Sequence, residues 1–177
     1  MNKRFSWCAI SVALWISSGC ASNPVTPLSI GNQVDFSLLE DQHGNGFAYQ
    51  DNMKLVLYVD SMKSKNLVRD SLQDIDQTCM NDGRVVYLAD ISGMPSLISR
   101  LIAIPRMRDY PYPIWLDRNG LATEALPVRD DMVTVLTVDH QAISGMEFYA
   151  DTQPLLKVLL AECGPAQQQV AQDTASH

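Results

Sequence analysis

The most reactive side chains of this protein are its four cysteines, Cys8, Cys20, Cys79 and Cys163. A cysteine thiolate is a nucleophile, a metal ligand and a partner in disulfide exchange, and two thiols join in a disulfide where the compartment is oxidising. Each of these chemistries requires a particular placement in the fold. The location of the chain, and the element that carries each cysteine, therefore decide between them.

The three histidines predict no metal or catalytic site. His43 lies in a Gly-rich stretch, His140 in a predicted hairpin turn and His177 at the end of the chain. Polar residues in such places are expected to be solvated. Because no cluster of ligands accompanies them, we predict neither a metal nor another cofactor.

The N-terminal residues MNKRFSWCAISVALWISSGCAS have the pattern of an export signal. Lys3 and Arg4 precede an apolar run over residues 5–16, which is shorter than the roughly 20 residues of a membrane span. Small residues follow at positions 17–20. We therefore predict that residues 1–19 are a signal peptide whose removal takes Cys8 with it.

The end of this signal, Ser17-Ser18-Gly19-Cys20, resembles the bacterial lipobox, although that motif commonly has Leu where Ser17 stands. The resemblance implies that Cys20 is lipidated and anchors the chain in a membrane. Since Ala21 rather than Asp follows, it further implies the outer membrane, facing the periplasm. The alternative is a plain cleaved signal or an uncleaved anchor. The predicted compartment permits disulfides.

The composition indicates one acidic domain. The net charge is −7, and loss of Lys3 and Arg4 would change it to about −9. Nucleic acid is not an expected partner, because phosphate contacts need clustered basic residues. We expect a Pro-, Ser- and Thr-rich tether over residues 20–31, one folded domain over 32–164 and a disordered tail over 165–177.

Apolar runs predict six strands. Alternation at Val34, Phe36 and Leu38 favours a short first strand. The other strands are predicted over residues 54–60, 84–91, 114–116, 132–139 and 143–149, the last two as an antiparallel hairpin.

Three segments have the apolar period of a helix. The first is predicted from Asn66 to Cys79, with an apolar face formed by Val68, Leu72, Ile75 and Cys79. The second is opened by Pro95 and stopped by Pro105, and its apolar face consists of Leu97, Ile98, Leu101 and Ile102. The third carries Leu155, Leu156 and Leu159 and ends at Gly164.

The order of these elements resembles that of the thioredoxin-like superfamily. FSLLEDQHG is similar to the first strand of peroxiredoxin and TlpA-type proteins, and YPIWLDRNG followed by VTVLTVDHQ is similar to their later half. The nearest type is that of the YtfJ-like periplasmic proteins, which lack the catalytic cysteines. The resemblance covers residues 32–164 and implies an α/β, three-layer thioredoxin-like sandwich with a mixed central sheet.

In such a fold the reactive thiolate lies at the N-terminus of the first helix, where the helix dipole stabilises it. Here that turn is Asp60–Lys65, which has no cysteine, and Ser61 or Ser64 is expected to cap the helix. The cis-proline that faces the thiol is also missing, because no proline lies within two residues of Val133. Both halves of the redox site are therefore absent.

Cys79 and Cys163 end helices that share one face of the implied sheet, and both helix ends lie at the same edge. A disulfide that contributes roughly 2–4 kcal/mol is one interpretation. Two separate buried thiols are equally favoured, since Cys79 lies on an apolar face. A redox pair is the third, although helix C-termini raise the pKa of a thiol rather than lower it.

We call Asp60–Lys65, the turn without a cysteine, the vacant turn. Six residues near it form a predicted partner surface, because arginine and tyrosine are enriched at interfaces. They are Lys63, Lys65, Arg106, Arg108, Tyr110 and Tyr112. A solvated connection is the alternative for residues 104–113. Met62, Met94 and Met107 are expected near the same turn, either as core filling or as soft ligands.

Three functions follow from these residues. The first is a lipid-anchored binding or accessory module without redox activity, which holds an envelope protein as its partner. The second is a divergent thiol-disulfide oxidoreductase that uses Cys79 and Cys163. The third is a carrier of a small ligand or metal. The placement of the cysteines favours the first over the second, and the lack of clustered ligands disfavours the third.

Overall fold

A mixed sheet lies at the centre of the protein. In the computed structural model, which describes residues 25–166, the strands are β1 (Glu40–Asp41), β2 (Leu55–Val59), β3 (Val85–Asp90), β4 (Trp115–Asp117), β5 (Val133–Asp139) and β6 (Ala142–Tyr149). Their order is β1-β4-β3-β2-β5-β6. The central strands β2, β3 and β4 run parallel, whereas β1, β5 and β6 are antiparallel to their neighbours. The predicted α/β, thioredoxin-like fold with a mixed sheet is thereby confirmed.

Helices cover one face of this sheet. They are α1 (Met62–Leu72), α2 (Thr78–Asn81), α3 (Ser96–Ile98), α4 (Ile104–Met107) and α5 (Thr152–Cys163), and a π-helical turn (Ser99–Ala103) joins α3 to α4. Val68 of α1 and Leu155 of α5 belong to one buried cluster with Leu57 of β2. The other face is packed by non-helical chain, which contributes Phe36 and Phe47 to a second buried cluster. The sheet is thus the middle of three layers.

The first predicted helix is divided in the structure. Helix α1 begins four residues before Asn66 and ends at Leu72, and the separate helix α2 carries Cys79. Between them Ile75 forms a β-bridge with Pro165, and neighbouring backbone groups of residues 74–76 bond to residues 164–166. These tertiary hydrogen bonds replace the helical ones, so the prediction of one helix was wrong. The predicted apolar face is nevertheless buried.

The second predicted helix does not present its apolar stripe to the core. Leu97 and Leu101 are 69% and 67% exposed, although Ile104 is buried. In a regular α-helix these three positions share one face. The π-helical turn has one residue more than an α-helical turn, so these positions no longer lie on one face. Because the wider turn precedes Pro105, the helix continues past this proline to Met107. The predicted buried face and the predicted stop at Pro105 were therefore both wrong.

The N-terminal part of the domain differs from its predicted boundaries. Val34 and Phe36 are buried as expected, but Leu38 is 94% exposed, and strand β1 follows it rather than containing it. Ordered contacts begin before residue 32, since the Leu28 N–H donates to the carbonyl of Ala125. Residues 28–31 of the predicted tether thus pack on the domain.

Candidate functional site

The first turn of α1 is closed by two serines. The Ser64 N–H donates to Ser61 Oγ and the Ser61 N–H donates to Ser64 Oγ, each over 3.1 Å, so the two residues form a reciprocal capping box. Their hydroxyl oxygens lie 3.0 Å apart, and Ser64 is fully buried. The predicted cap is confirmed. Both hydroxyls are occupied with the backbone, and a hydroxyl cannot exchange with a disulfide.

A small pocket of about 150 Å³ opens beside this turn. Met62, Met94 and Met107 all line it, which confirms the expectation that they lie near the vacant turn. The other lining residues include Ser61 and Lys65, together with the ends of strands β2 and β3. Thioether side chains adapt to irregular contacts, so the pocket has an apolar and deformable wall.

Two carboxylates line this pocket. Asp60 and Asp90 follow or end the parallel strands β2 and β3, and both also line a wider depression of about 370 Å³ with Met94 and Pro95. Burial raises the pKa of Tyr58, and the charges of Asp60 and Asp90 raise it further. The edge therefore carries negative charge at the strand ends.

The position opposite the vacant turn holds valine. Val133 begins β5, is fully buried and belongs to the helix-side core. Within residues 25–166 no peptide bond is cis. The first residue of β5 is thus an apolar core residue and not a proline.

The predicted partner surface is only partly exposed. Lys63 and Arg106 are exposed, and Lys63 lies 3.9 Å from Asp131 in a solvated ion pair. Lys65 is half-buried at the pocket. The Arg108 Nε–H donates to the carbonyl of Gln42 over 2.9 Å, which ties this arginine to the domain.

The two tyrosines of that surface are structural. Tyr112 is buried at 5% exposure, and the half-buried Tyr110 stacks on it with ring centroids 5.4 Å apart. Burial raises the pKa of Tyr112, and Tyr110 adds to the shift. The Gln42 side chain fixes the loop, since its Nε2 donates to the Tyr112 carbonyl and its Oε1 accepts from the Ile114 N–H. Tyr112 was predicted to belong to the partner surface, but its burial removes its side chain from the exposed surface.

Cys79 and Cys163 form a disulfide, with their Cα atoms 5.3 Å apart. The bond joins the short helix α2 to the end of α5. Cys79 precedes β3, whereas the vacant turn follows β2, and these parallel strands place the two features at opposite edges of the sheet. Cys79 is fully buried and Cys163 is partly exposed.

Some predicted features lie outside residues 25–166, which the structure describes. These are the signal peptide, the lipidation site Cys20, most of the C-terminal tail and His177. Within that range no group of three or more His, Cys, Asp or Glu residues could hold a metal ion. None of the helices described is long and apolar enough to cross a membrane.

Sequence reasoning missed one surface. Four large apolar side chains of α3 and the π-helical turn are exposed, namely Leu97, Ile98, Leu101 and Ile102. Their spacing identified an apolar stripe, but an apolar period does not show what covers the stripe. The only sequence signal for the interruption of the α-helix was Pro105, which lies in the first turn of α4 after the π-helical turn.

Comparisons with known proteins find similarity among solved structures only. No protein-family model matches the chain. No curated protein matches it either. Among solved structures, a thiol peroxidase from Chromobacterium violaceum is 14% identical, with a TM-score of 0.43, over 81% of this chain and 94% of the peroxidase. The assignment to the thioredoxin-like fold rests on the strand order and directions described above.

Proposed function

We propose that this protein is a lipid-anchored, thioredoxin-like binding module of the bacterial cell envelope that performs no thiol chemistry. The observation that carries this proposal is the closed first turn of α1. The place where this fold supports a thiolate holds Ser61 and Ser64, whose hydroxyls bond to each other's backbone amides. Such a turn retains the scaffold and lacks the nucleophile.

The disulfide supports a structural rather than a catalytic role. Attack on a disulfide requires access to the sulfur in line with the bond, and Cys79 has no exposed surface. Cys163 is partly exposed at the end of α5, far along the chain from the capping box. The oxidoreductase alternative therefore depends on Cys163 alone as the accessible sulfur.

Turnover assays on the full chain separate these two functions. We expect neither insulin reduction nor peroxide consumption above the buffer rate. Cys163→Ser is the matched variant, because it removes the accessible sulfur and leaves Cys79 as a buried thiol. Turnover by the parent protein that is lost in Cys163→Ser would overturn the proposal and favour the oxidoreductase.

The lipid anchor is tested by metabolic labelling with palmitate. We expect label on the parent protein and none on Cys20→Ser. Cys8→Ser is the control, since it removes a cysteine that belongs to the predicted signal peptide and keeps the lipobox-like residues. Label that persists in Cys20→Ser would contradict the anchor, and fractionation of the labelled cells would test the proposed outer-membrane location.

An envelope protein is the proposed partner, and the edge around the vacant turn is its proposed contact surface. Lys65 lines the methionine-lined pocket there, and Lys63 is exposed in the same first turn of α1. A photocrosslinking residue at Lys63 is expected to capture a defined partner in cells. The same residue at Lys54, exposed before β2 at the opposite edge, is the control. Equal capture from both positions would reject this edge as the contact surface.

A further inference from the structure

The exposed side of α3 and the π-helical turn is an apolar surface without a partner inside the domain. We call it the lipid-facing segment, residues 96–107. Leu97 and Leu101 are 69% and 67% exposed, and Ile98 and Ile102 are each 43% exposed. Positions spaced by four residues are neighbours on a helix, so the four side chains form one contiguous patch rather than scattered residues.

The charge of this segment is opposite to that of the protein. The chain carries a net charge of −7, yet it has no Asp or Glu between residues 91 and 108 and has Arg100, Arg106 and Arg108 there. All three arginines are exposed, and Arg108 also donates to the Gln42 carbonyl. A helical surface with an apolar face flanked by arginines is complementary to an anionic lipid interface.

We infer that the lipid-facing segment lies on the anionic surface of a bilayer, with the four apolar side chains inserted among the lipids and Arg100 and Arg106 at the headgroups. The inference rests on the proposed envelope location and adds a second membrane contact to the lipid anchor. A second copy is a poorer occupant, because a two-fold contact between these faces would bring like-charged arginines together.

Vesicle partition of the full chain tests this contact, with Cys20→Ser in every sample so that attached lipid plays no part. The vesicles are phosphatidylglycerol mixed equally with phosphatidylcholine, or phosphatidylcholine alone. Residues 1–24 are common to all samples and contribute equally to partition. The ratio of the partition coefficients of two variants therefore measures the contribution of the lipid-facing segment. We expect stronger binding to the anionic vesicles, and weaker binding as salt rises from about 0.1 to about 1 M.

Two pairs of substitutions separate charge from apolar insertion. Arg100→Gln with Arg106→Gln is expected to lower partition about 25-fold, since each arginine near an anionic surface contributes about fivefold, and to remove most of the salt dependence. Leu97→Gln with Leu101→Gln is expected to lower partition at least about tenfold on both vesicle types. Leu38→Gln with Leu121→Gln is the control, because both leucines are exposed but line a different depression with Phe36.

Three outcomes would overturn the inference. Partition that is unchanged in both test pairs, or lowered equally by the control pair, would show that the segment does not contact lipid. A dimer in light scattering without vesicles, converted to a monomer by the leucine pair, would assign the patch to a second copy. These results are independent of the thiol assays, so failure of the lipid contact and failure of the proposed non-redox function are distinguishable.

Discussion

Removal of the Cys79–Cys163 disulfide is expected to destabilise the protein through its unfolded state. The bond joins residues 84 positions apart, about half the length of the chain. In the chain-entropy model, opening a loop of this length costs about 4.5 kcal/mol of stability. Measured effects are commonly smaller because unfolded chains retain residual structure, so we expect a loss of about 2–4 kcal/mol.

The choice of variant isolates this effect from packing. Cys163→Ser replaces the partly exposed partner, and it leaves Cys79 as a thiol in an apolar site that suits it. Cys79→Ser opens the same loop but also buries a hydroxyl, which adds about 1–3 kcal/mol if it finds no partner. Cys163→Ser should therefore be the milder substitution of the two.

Urea unfolding measures the prediction directly. The m-value should rise along with the loss of stability, because the unfolded chain without the crosslink exposes more surface. The double variant Cys79→Ala with Cys163→Ala should lose about the same loop-closure contribution as Cys163→Ser, since a single bond is removed in both. A loss below about 1 kcal/mol in Cys163→Ser, or free thiols at both Cys79 and Cys163 in the unfolded and unreduced protein, would refute the reasoning.

Two further substitutions test the packing around the sheet. Gly83→Ala should cost at least about 2 kcal/mol in unfolding free energy, because φ is +80° there and the added Cβ would meet the ring of Tyr49; Gly93→Ala, which meets nothing within 4 Å, should be near neutral in the same melts. Asp41→Asn should cost about 1 kcal/mol at neutral pH through its lost hydrogen bond with Asn45. Burial raises the pKa of Asp41, but the hydrogen bonds from Asn45 have the larger effect and hold the pKa below its usual 3.8. The stability that the carboxylate contributes is therefore complete above pH 3.8 and disappears as the pH falls through the native pKa. Parent and variant should then have equal stability in acid melts, and a difference that persists there would contradict the stabilising role of the carboxylate.

The strands were predictable because their burial is continuous. Residues 55–59 and 85–89 are apolar runs of strand length, and all of them are buried, as expected for central parallel strands covered on both faces. The hairpin followed in the same way from two runs separated by a short turn at His140 and Gln141. Local sequence was sufficient there, since register and burial are properties of each strand and its immediate neighbours.

The helices were less predictable because distant residues shape them. The break after Leu72 depends on backbone bonds between residues 74–76 and residues 164–166, which lie far apart in the chain. Tyr112 is buried because the side chain of Gln42, 70 residues away, fixes its loop. Residue type and local period carry no information about such partners.

The helix cap was predictable from sequence, and the reciprocal bonding of its two serines was not. Ser61 and Ser64 have the right spacing for a cap in any helix. The resemblance to the thioredoxin-like fold predicted the position of this cap, and the sheet topology places it at the carboxyl end of β2 as expected. The same topology shows that the disulfide belongs to the opposite edge.

The disulfide and the proposed membrane contact lie at opposite edges of the sheet, so they should act independently. The disulfide constrains α2 and the end of α5, whereas the lipid-facing segment follows β3 at its carboxyl end and contains neither cysteine. Sites without shared partners contribute additively to free energy. A Cys163→Ser variant that is still folded should therefore lose stability and retain its partition onto anionic vesicles, while Arg100→Gln should do the reverse. Coupled losses in both variants would mean that the two edges act as one unit, and the scaffold would then transmit redox state to the membrane contact.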